Sequence, residues 1–460
     1  MRSTICNLLN NINSLLWGDH TLILVFIAAI FLTVRCKAVY ILHPFKVLKN
    51  TLFSTKVDNS SSRSMTNFQT LTTSLAASMG TGNIIGVAAA ISVGGRGAVF
   101  WMIVSAFFVM SFAFTENVLA VIYKNRSHSS EASGPLLYLR SVFGSDKISV
   151  IFSIVCMCAS FVIGNLTQVS SASDSLDTFH IPGCLCSAVF VALTACVVFH
   201  RRTNIASVTE KLVPFAALFY IAGSALVILI YGNNVDNVIS DIISSAFGLK
   251  QISGGIFGAS LAKTISVGVR RGLFSNEAGM GTSAFAHTSS DCSEPVIMGF
   301  WAALEVFIDT VLLCTLTALV ILCTDADKMG LSAADTVVSA FTSGFDKAAV
   351  SLKFPLGSHN IFSFFGGSFL AISNSVFAFA SVIGWYFYGE KCCLFLEDHF
   401  KTKLLFAYKI VYVSAVFLGA VINADIIWEL ADLFTFLMLI PNLSAILILS
   451  NQIKPYLSSK

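Results

Sequence analysis

Long apolar runs separated by short charged segments constrain the fold of this chain more than any other feature. A helix that crosses a bilayer needs roughly 20 mainly apolar residues, because lipid cannot satisfy exposed backbone groups. Of the 460 residues, 55% are hydrophobic and 12% are charged, which excludes an ordinary soluble enzyme and a disordered protein. The pattern predicts an all-α polytopic membrane protein with about 11 transmembrane helices, near residues 21–34, 68–93, 98–122, 148–171, 182–199, 209–231, 253–287, 296–323, 361–388, 404–421 and 428–450.

Charge, cysteine content and the absence of a nucleotide motif exclude several other classes. The net charge is +3 without a dense basic block, so the sequence predicts no nucleic-acid partner. The 12 cysteines are scattered without a C-x-x-C pair, which favours small core residues over a metal site. No G-x-x-x-x-G-K-[ST] run is present, so neither ATP-driven pumping by this chain nor a cofactor is predicted. A lone His287 within a span is weak support for an intramembrane enzyme.

Lysine and arginine are concentrated in alternate loops, a bias that is typical of the cytoplasmic side of a membrane. Placing these loops inside predicts an external N-terminus and a cytoplasmic C-terminus. The external loops at 172–181 and 422–427 then contain Asp but no Lys or Arg. The basic residues predicted to be inside are Arg35, Lys37, Lys46, Lys49, Lys56 and Arg63, then Lys124, Arg126, Arg140 and Lys147, then Arg201 and Arg202, and finally Lys391, Lys401, Lys403, Lys454 and Lys460.

Two of the predicted spans contain glycine clusters, which make an uninterrupted helix costly. Each Gly in a helix costs about 1 kcal/mol relative to Ala and favours turns. One cluster is Gly80 to Asn83; the other span holds both Gly254 to Ser260 and Asn276 to Gly281. Close helix packing through small residues is the alternative explanation for any single cluster. Paired interruptions are instead typical of transporter sites, where freed amide and carbonyl groups can meet a carboxylate and a cation.

The interrupted spans also divide the chain into two similar halves. If the first span is set aside, ten remain, and each set of five opens with an interrupted span. Five is an odd number, so the second set crosses the membrane in the opposite sense, as an inverted repeat requires. The sequence predicts an N-terminal helix with a basic cytoplasmic loop (1–67), a first repeat (68–231), an external linker (232–252), a second repeat (253–450) and a cytoplasmic tail (451–460).

Polar side chains inside the spans are costly in lipid and usually face a cavity. Asn165 and Gln168 are three residues apart, and Ser381 and Trp385 are four apart, so each pair is expected on one helix face. These four residues are therefore candidates for lining a binding site. For Trp385, anchoring at the membrane interface is the alternative interpretation.

The charged residues within the spans have competing interpretations. Glu305 and Asp309, four residues apart, could carry protons or could pair with Arg270 and Arg271 near a cytoplasmic gate, and pairing is favoured. Glu116 and Glu277 are similarly ambiguous. If Arg270 lies beyond the lipid, the crossing ends near Val269. Residues 275–281 would then form a cytoplasmic gate, which leaves 254–260 as the helix break.

Several motifs resemble the bacterial sodium:alanine/glycine symporter family, also called alanine or glycine:cation symporters. They are GTGNI at 80–84, GAVFW at 97–101, RGLFSNEAG at 271–279, FIDT at 307–310 and GWY at 384–386. The resemblance extends over about 17–450. It implies a bacterial cytoplasmic (inner) membrane protein with the leucine-transporter-like 5+5 inverted repeat plus an extra N-terminal helix. It also implies sodium-driven symport of alanine and/or glycine, with a proton-coupled symporter that uses Glu305 and Asp309 as the alternative.

The resemblance also implies roles for individual residues. The substrate-binding set is Gly80, Thr81, Gly82, Asn83, Asn165, Gln168, Ser381 and Trp385. Sodium would bind through Asn83, Thr81 and Ser381, and coupling or gating would use Arg271, Asn276, Glu277, Glu305 and Asp309. Dipoles would suffice for a zwitterionic amino acid, because an unpaired buried charge is costly. Trp385 would cap the site and limit the volume of the substrate side chain.

Overall fold

The computed structural model describes residues 2–52, 64–126, 132–177, 179–200, 205–248, 257–351, 359–422 and 424–458, which form helices joined by short turns. The first twelve helices are α1 (Arg2–Leu16), α2 (Asp19–Arg35), α3 (Val39–Leu42), α4 (Pro44–Asn50), α5 (Asn67–Ser78), α6 (Ile85–Gly94), α7 (Ala98–Arg126), α8 (Pro135–Phe143), α9 (Asp146–Phe161), α10 (Thr167–Asp177), α11 (Gly183–Phe199) and α12 (Ile205–Ile230). The others are α13 (Gly232–Ala246), α14 (Phe257–Ser275), α15 (Ser283–Thr288), α16 (Pro295–Val306), α17 (Thr315–Cys323), α18 (Ala333–Ser351), α19 (His359–Phe400), α20 (Leu405–Leu418), α21 (Ala424–Leu449) and α22 (Lys454–Ser458).

Several of these helices are long and apolar enough to cross a bilayer. Within the described residues there are six such spans, and the bent pair of α1 and α2 gives a seventh. The shorter apolar helices are α6, α11 and α20. The prediction of an all-α polytopic membrane protein is confirmed, whereas the number of eleven crossings stays a prediction.

The helices follow the order that an inverted repeat requires. The interrupted pair α5 and α6 is followed by α7, by α9 with α10, by α11 and by α12. The second interrupted pair, α14 and α15, is followed by α16 with α17, by α19, by α20 and by α21. Two of these elements contain a π-helical turn, at Val162–Leu166 and at Phe307–Cys314.

The two interrupted helices lie at the centre of the packing. Helix α5 packs against α12 and α19, while α14 packs against α6 and α7. Glycine allows the second of these contacts, because a Cβ at Gly268 would lie 2.5 Å from the carbonyl oxygen of Ala98, and one at Gly272 would overlap the hydroxyl of Ser105. This approach brings the end of α14 beside the first interruption.

Seven of the described helices lie outside the apolar runs that the sequence indicated. They are α1, α3, α4, α8, α13, α18 and α22, which are amphipathic or short. In α13, for example, only Val238, Ile242 and Ala246 are buried, and their spacing of four places them on one stripe. A search for continuous apolar runs misses such helices because they are too short to cross a bilayer or because polar residues interrupt their apolar stripe. Of the basic residues used to predict orientation, Lys56, Arg63, Arg201, Arg202 and Lys460 lie outside the described residues.

Candidate functional site

The first interruption lies where the sequence predicts it. Helix α5 ends at Ser78, Gly80 is extended, a single 3-10 turn covers Thr81–Asn83, and α6 begins at Ile85. A side chain from α10 caps the freed backbone, because Gln168 Oε1 accepts hydrogen bonds from the Thr81 amide at 3.0 Å and from its hydroxyl at 3.2 Å. Gly80 leaves room for this contact, since a Cβ there would lie 2.7 Å from Gln168 Oε1.

The second interruption follows α14. Helix α14 continues through Phe257–Ser275 without a break, and the chain is unwound from 276 to 282 before α15 begins. Glu277, Gly279 and Gly281 have positive φ angles, which end the helix. The alternative break at 254–260 is therefore wrong for residues 257–260, which are helical, whereas residues 254–256 lie outside the described residues.

Side chains stabilise the unwound segment of residues 276–282. Asn276 Oδ1 accepts a hydrogen bond from the Ala278 amide at 3.0 Å. The buried Glu116 accepts hydrogen bonds from the Gly281 amide at 3.1 Å, from the Ser283 hydroxyl at 3.0 Å and from Asn442 at 2.9 Å. Glu116 thus joins α7 to this segment and to α21, which is a positioning role.

A cluster of polar side chains joins the two interruptions. Asn83 donates to Asp309 Oδ1 at 2.5 Å, and the Ser275 hydroxyl lies 2.7 Å from Asn83 Oδ1 and 3.1 Å from Asp309 Oδ2. Thr310 donates to the same carboxylate at 3.0 Å. All four residues are buried. We call Asn83, Ser275, Asp309 and Thr310 the polar cluster. Sequence reasoning placed Ser275 only within a possible gate segment and assigned no role to Thr310.

A cavity of about 560 Å³ opens beside the polar cluster. Residues from α5, α6, α10, α14 and α21 line it, and it extends from the first interruption to Val93 and Trp428 near the ends of α6 and α21. Its polar and charged lining consists of Ser78, Thr167, Gln168, Arg270, Arg271, Ser275, Glu277, Asp432 and Thr435. The cavity therefore combines a helix interruption with charged groups of both signs.

Arginines 270 and 271 do not pair with Glu305 and Asp309, contrary to the expectation from sequence. Arg270 forms an ion pair with Asp432 at 2.5 Å, and Arg271 donates from Nη2 to the carbonyl of Gly82. The helix continues through both arginines, so their side chains reach the cavity and the first interruption. The predicted pairing is therefore wrong, whereas a gating or coupling role for Arg271 stays a prediction.

Asn165 and Gln168 do not share a face towards the cavity. Asn165 donates to the carbonyl of Tyr412 at 2.9 Å and does not line the cavity. It lies in the π-helical turn Val162–Leu166, where the number of residues per turn increases and an i, i+3 pair no longer aligns. Of the two, only Gln168 lines the cavity.

Ser381 and Trp385 lie behind the cavity wall. The Ser381 hydroxyl donates to the carbonyl of Ala77 at 2.9 Å, beside the end of α5. Trp385 is completely buried, packs on Gly164, and donates from Nε1 to Glu277 Oε1 at 2.8 Å. Trp385 is therefore neither an interfacial anchor nor a direct wall of the cavity. It positions Glu277, which lines the cavity.

The residues predicted to hold sodium lie at different places. Asn83 belongs to the polar cluster, Thr81 bonds to Gln168, and Ser381 bonds to the end of α5. Glu305, also buried, lies apart from these, with its Oε2 at 3.5 Å from His287 Nε2. The oxygen atoms that lie together around Asn83 come from Ser275, Asp309 and Thr310.

Comparison with known proteins assigns the chain to a family. Residues 2–459 match the sodium:alanine symporter family. The chain is 34% identical to the sodium/alanine symporter AgcS of Methanococcus maripaludis, over 97% of this chain and 95% of that protein. It is 33% identical to a Bacillus subtilis protein named "Probable sodium/glutamine symporter GlnT", over 96% of this chain and 87% of the relative.

A solved structure shares the fold. The transporter MhsT, crystallised with L-phenylalanine, is 12% identical and superposes with a TM-score of 0.56 over 84% of this chain and 89% of MhsT. This confirms the leucine-transporter-like fold that the family resemblance implies. The family match covers nearly the whole chain, and the protein is a transporter and not an enzyme. The chain belongs to the sodium:alanine symporter family.

Proposed function

We propose that the protein imports small neutral amino acids, alanine and/or glycine, together with Na⁺ by alternating access. The observation that carries this proposal is the polar cluster, which joins the two interrupted helices next to the cavity. Hard cations prefer oxygen ligands, and Asn83, Ser275, Asp309 and Thr310 supply amide, hydroxyl and carboxylate oxygens at one place. The coupling ion needs no further cofactor.

An ion in the polar cluster would couple to the cavity because the cluster links both helix interruptions. Asn83 ends the 3-10 turn of the first interruption, and Ser275 is the last residue of α14. Na⁺ binding between them would favour the arrangement in which the two interruptions touch. That arrangement also sets the cavity walls formed by Gly80, Gly82 and Gln168. Differential binding of this kind is what coupling requires.

The membrane potential supplies enough energy for such a cycle. One Na⁺ that enters across 100 mV releases about 2.3 kcal/mol. This energy supports roughly 50-fold accumulation of a substrate without net charge. In this proposal the protein lies in a bacterial cytoplasmic membrane with its N-terminus outside, as the distribution of Lys and Arg predicts.

The cavity is larger than alanine requires, so its open volume does not select the smallest substrates. The name of the Bacillus subtilis relative refers to glutamine, and that of the Methanococcus maripaludis relative to alanine. We therefore propose that preference for alanine or glycine arises when the cavity closes. An uptake panel of alanine, glycine and glutamine tests this point.

Proton coupling is the second candidate, favoured by one observation. Glu305 and His287 are both buried, and Glu305 Oε2 lies 3.5 Å from His287 Nε2. A buried carboxyl group beside an imidazole could exchange a proton during transport. In this alternative, Glu305 and Asp309 carry the coupling proton.

Uptake into proteoliposomes separates the two coupling ions. The purified protein is reconstituted, and accumulation of labelled alanine is measured under equal inward gradients of Na⁺, K⁺ or protons. We expect accumulation with Na⁺ alone. Accumulation with the pH gradient alone would contradict Na⁺ coupling and support the second candidate.

Asp309→Asn tests the polar cluster directly. Removing the charge should raise the Na⁺ concentration for half-maximal uptake by about tenfold or more, because one anionic ligand is lost. Ser275→Ala should also raise the Na⁺ concentration for half-maximal uptake, but by a smaller factor. Asp398→Asn is the matched control, since Asp398 pairs with Lys401 on an exposed surface. An unchanged Na⁺ dependence in Asp309→Asn would exclude this cluster as the ion site.

A further inference from the structure

The guanidinium group of Arg271 occupies a site built by glycines of the first interrupted helix. Its Nη2 donates to the carbonyl of Gly82. A Cβ at Gly82 would lie 2.8 Å from Nη2, and a Cβ at Gly86 would overlap Cζ and Nη1. Any larger residue at either glycine would therefore displace the guanidinium group. The two glycines, four residues apart, lie in the 3-10 turn and in the first turn of α6, where the guanidinium group packs.

The charge of Arg271 lacks an anionic partner. Its Nε is buried and makes no hydrogen bond, and Arg271 forms no ion pair with any described residue. Two other arginines differ, because Arg270 pairs with Asp432 and Arg96 pairs with three carboxylates. A buried, unpaired cation within a membrane protein is costly and is usually retained for function.

Arg271 and Glu277 are the two charges of the cavity lining that remain once Arg270 and Asp432 are paired. Glu277 accepts hydrogen bonds from Trp385 at 2.8 Å and from Thr282 at 3.2 Å, but it forms no ion pair among the described residues. Its carboxylate keeps free acceptor positions, because each oxygen has two lone pairs. The cavity thus contains one unpaired cation and one unpaired anion.

We infer that Arg271 binds the carboxylate of the transported amino acid and that Glu277 binds its ammonium group. The inference rests on the proposed function, whose substrates are zwitterions with these two charges. A guanidinium group matches a carboxylate through two parallel N–H donors, and the buried Nε of Arg271 is a free donor for such a pair. The zwitterion supplies both missing partners at once, so neither protein charge stays unpaired in the loaded state.

This assignment replaces the expectation that backbone and amide dipoles alone recognise the substrate. Gln168, which the resemblance placed in the substrate-binding set, uses its carbonyl oxygen to cap Thr81 and its Nε2 to bond the carbonyl of Ile163 at 3.1 Å. Charged recognition also implies selection against molecules that lack one of the two groups. It leaves the side chain of the substrate free to vary.

The test compares alanine with analogues that lack one charge. In proteoliposomes with a Na⁺ gradient, the KM of alanine is measured together with the inhibition constants of L-alaninol, which lacks the carboxylate, and of L-lactate, which lacks the ammonium group. For the wild-type protein, we expect both analogues to bind about 100-fold more weakly than alanine. Equal inhibition by alanine and alaninol would overturn the inference.

Variants assign each charge to its residue. Arg271→Gln should raise the KM of alanine about 100-fold and leave the inhibition constant of alaninol within about twofold. Glu277→Gln should raise the KM of alanine by a similar factor and leave the inhibition constant of L-lactate unchanged. If Arg271→Gln weakened the binding of alanine and of alaninol by the same factor, the role of Arg271 would be purely structural and the inference would be overturned.

Two further variants keep the test decisive. Gly86→Ala retains the charge of Arg271 but displaces its guanidinium group, so it should weaken the binding of alanine more than that of alaninol. This variant tests the inference even if Arg271→Gln does not fold. Arg140→Gln is the matched control, because Arg140 pairs with Asp146 and is 59% exposed, outside the cavity. If the wild-type protein and this control take up alanine with Na⁺ but show no preference for zwitterions, the inference fails while the proposed function stands. If neither takes up any neutral amino acid, both fail.

Discussion

At the scale of single residues, the first interruption depends on one side chain that replaces a helical hydrogen bond. Gln168 caps the Thr81 amide and hydroxyl, and Gly80 is the residue whose missing Cβ lets the amide group of Gln168 approach. The interruption therefore has a defined geometry and is not a loose segment. A buried amide left without an acceptor would cost roughly 1–3 kcal/mol.

Gly80→Ala should displace Gln168 from Thr81 and reduce transport. We expect the KM of alanine to rise several-fold, with a loss of stability of roughly 1 kcal/mol, because the two hydrogen bonds to Gln168 weaken. Uptake kinetics and thermal unfolding in detergent measure the two effects. Gln168→Ala should act similarly, and the double variant should be no worse than the single ones, since all three remove one contact.

Gly232→Ala is the control for the glycine substitution. Gly232 lies at the start of α13, and nothing lies within 4 Å of a Cβ built there. This variant should match the wild-type protein in uptake. Additive effects of Gly80→Ala and Gln168→Ala would contradict the shared-contact explanation.

At the scale of elements, α1 is an addition to the ten-helix arrangement that reaches the rim of the cavity. Asn13 donates to the carbonyl of Glu429 at 2.8 Å, and Trp17 donates to the carbonyl of Asp432 at 3.1 Å, so α1 and the residue after it dock on α21. The centroid of the Trp17 ring lies 4.5 Å from that of the Phe274 ring. The guanidinium carbon of Arg270 lies 5.8 Å from the centroid of the Trp17 ring. The N-terminal helix thus supports the ion pair at the rim.

Trp17→Ala should destabilise the protein and weaken substrate binding. The loss should be roughly 3 kcal/mol, because a buried aromatic side chain is removed together with its contacts to α14 and α21. The KM of alanine should also rise as Arg270 loses one of its two aromatic neighbours and keeps only Phe274. The stability and the KM of alanine of Trp17→Phe should lie between those of the wild-type protein and Trp17→Ala, since this variant keeps a ring but loses the indole donor.

Leu15→Ala is the matched control within the same helix. Leu15 is 71% exposed, so its truncation removes little contact within the protein. Thermal unfolding and uptake kinetics of the two alanine variants are compared directly. Equal behaviour of Trp17→Ala and Leu15→Ala would contradict a supporting role for α1.

At the scale of the whole molecule, one arginine ties together segments from three parts of the chain. Arg96, between α6 and α7, contacts Asp327 at 2.8 Å, Asp325 at 2.8 Å and Asp241 at 3.1 Å. These partners lie in the turn after α17 and in α13. The contacts join the predicted first repeat, linker and second repeat on one side, although the domain boundaries themselves stay predictions.

Arg96→Gln should destabilise the protein at neutral pH by roughly 1–3 kcal/mol, because it leaves Asp327 and Asp241 without their shared cation. Lys401→Gln is the control, since that side chain is 78% exposed and an exposed ion pair such as the one with Asp398 contributes little. Thermal unfolding in detergent measures both variants. A loss in Lys401→Gln equal to that in Arg96→Gln would contradict the proposed link.

The same ion-pair network predicts a pH dependence. Hydrogen bonds from Lys328 and then Arg96 hold the pKa of Asp325 below its ordinary value of 3.8. A depressed carboxyl pKa stabilises the folded state above the ordinary value, and this contribution is lost as the pH falls through the folded value. The stability difference between the wild-type protein and Asp325→Asn should therefore be constant above about pH 5 and shrink below pH 4. A stability difference between the two proteins that changes between pH 6 and 8 would contradict this prediction.

The sequence by itself determined the membrane class, the two interrupted spans and the family. Apolar run length and glycine clusters are local properties, so GTGNI at 80–84 predicted the first interruption correctly. Tertiary structure alone decided which side chains meet. The π-helical turn rotated Asn165 away from Gln168, and the continuous α14 brought Arg271 to Gly82. Contacts between residues nearly 200 positions apart depend on how whole helices pack, which no local pattern specifies.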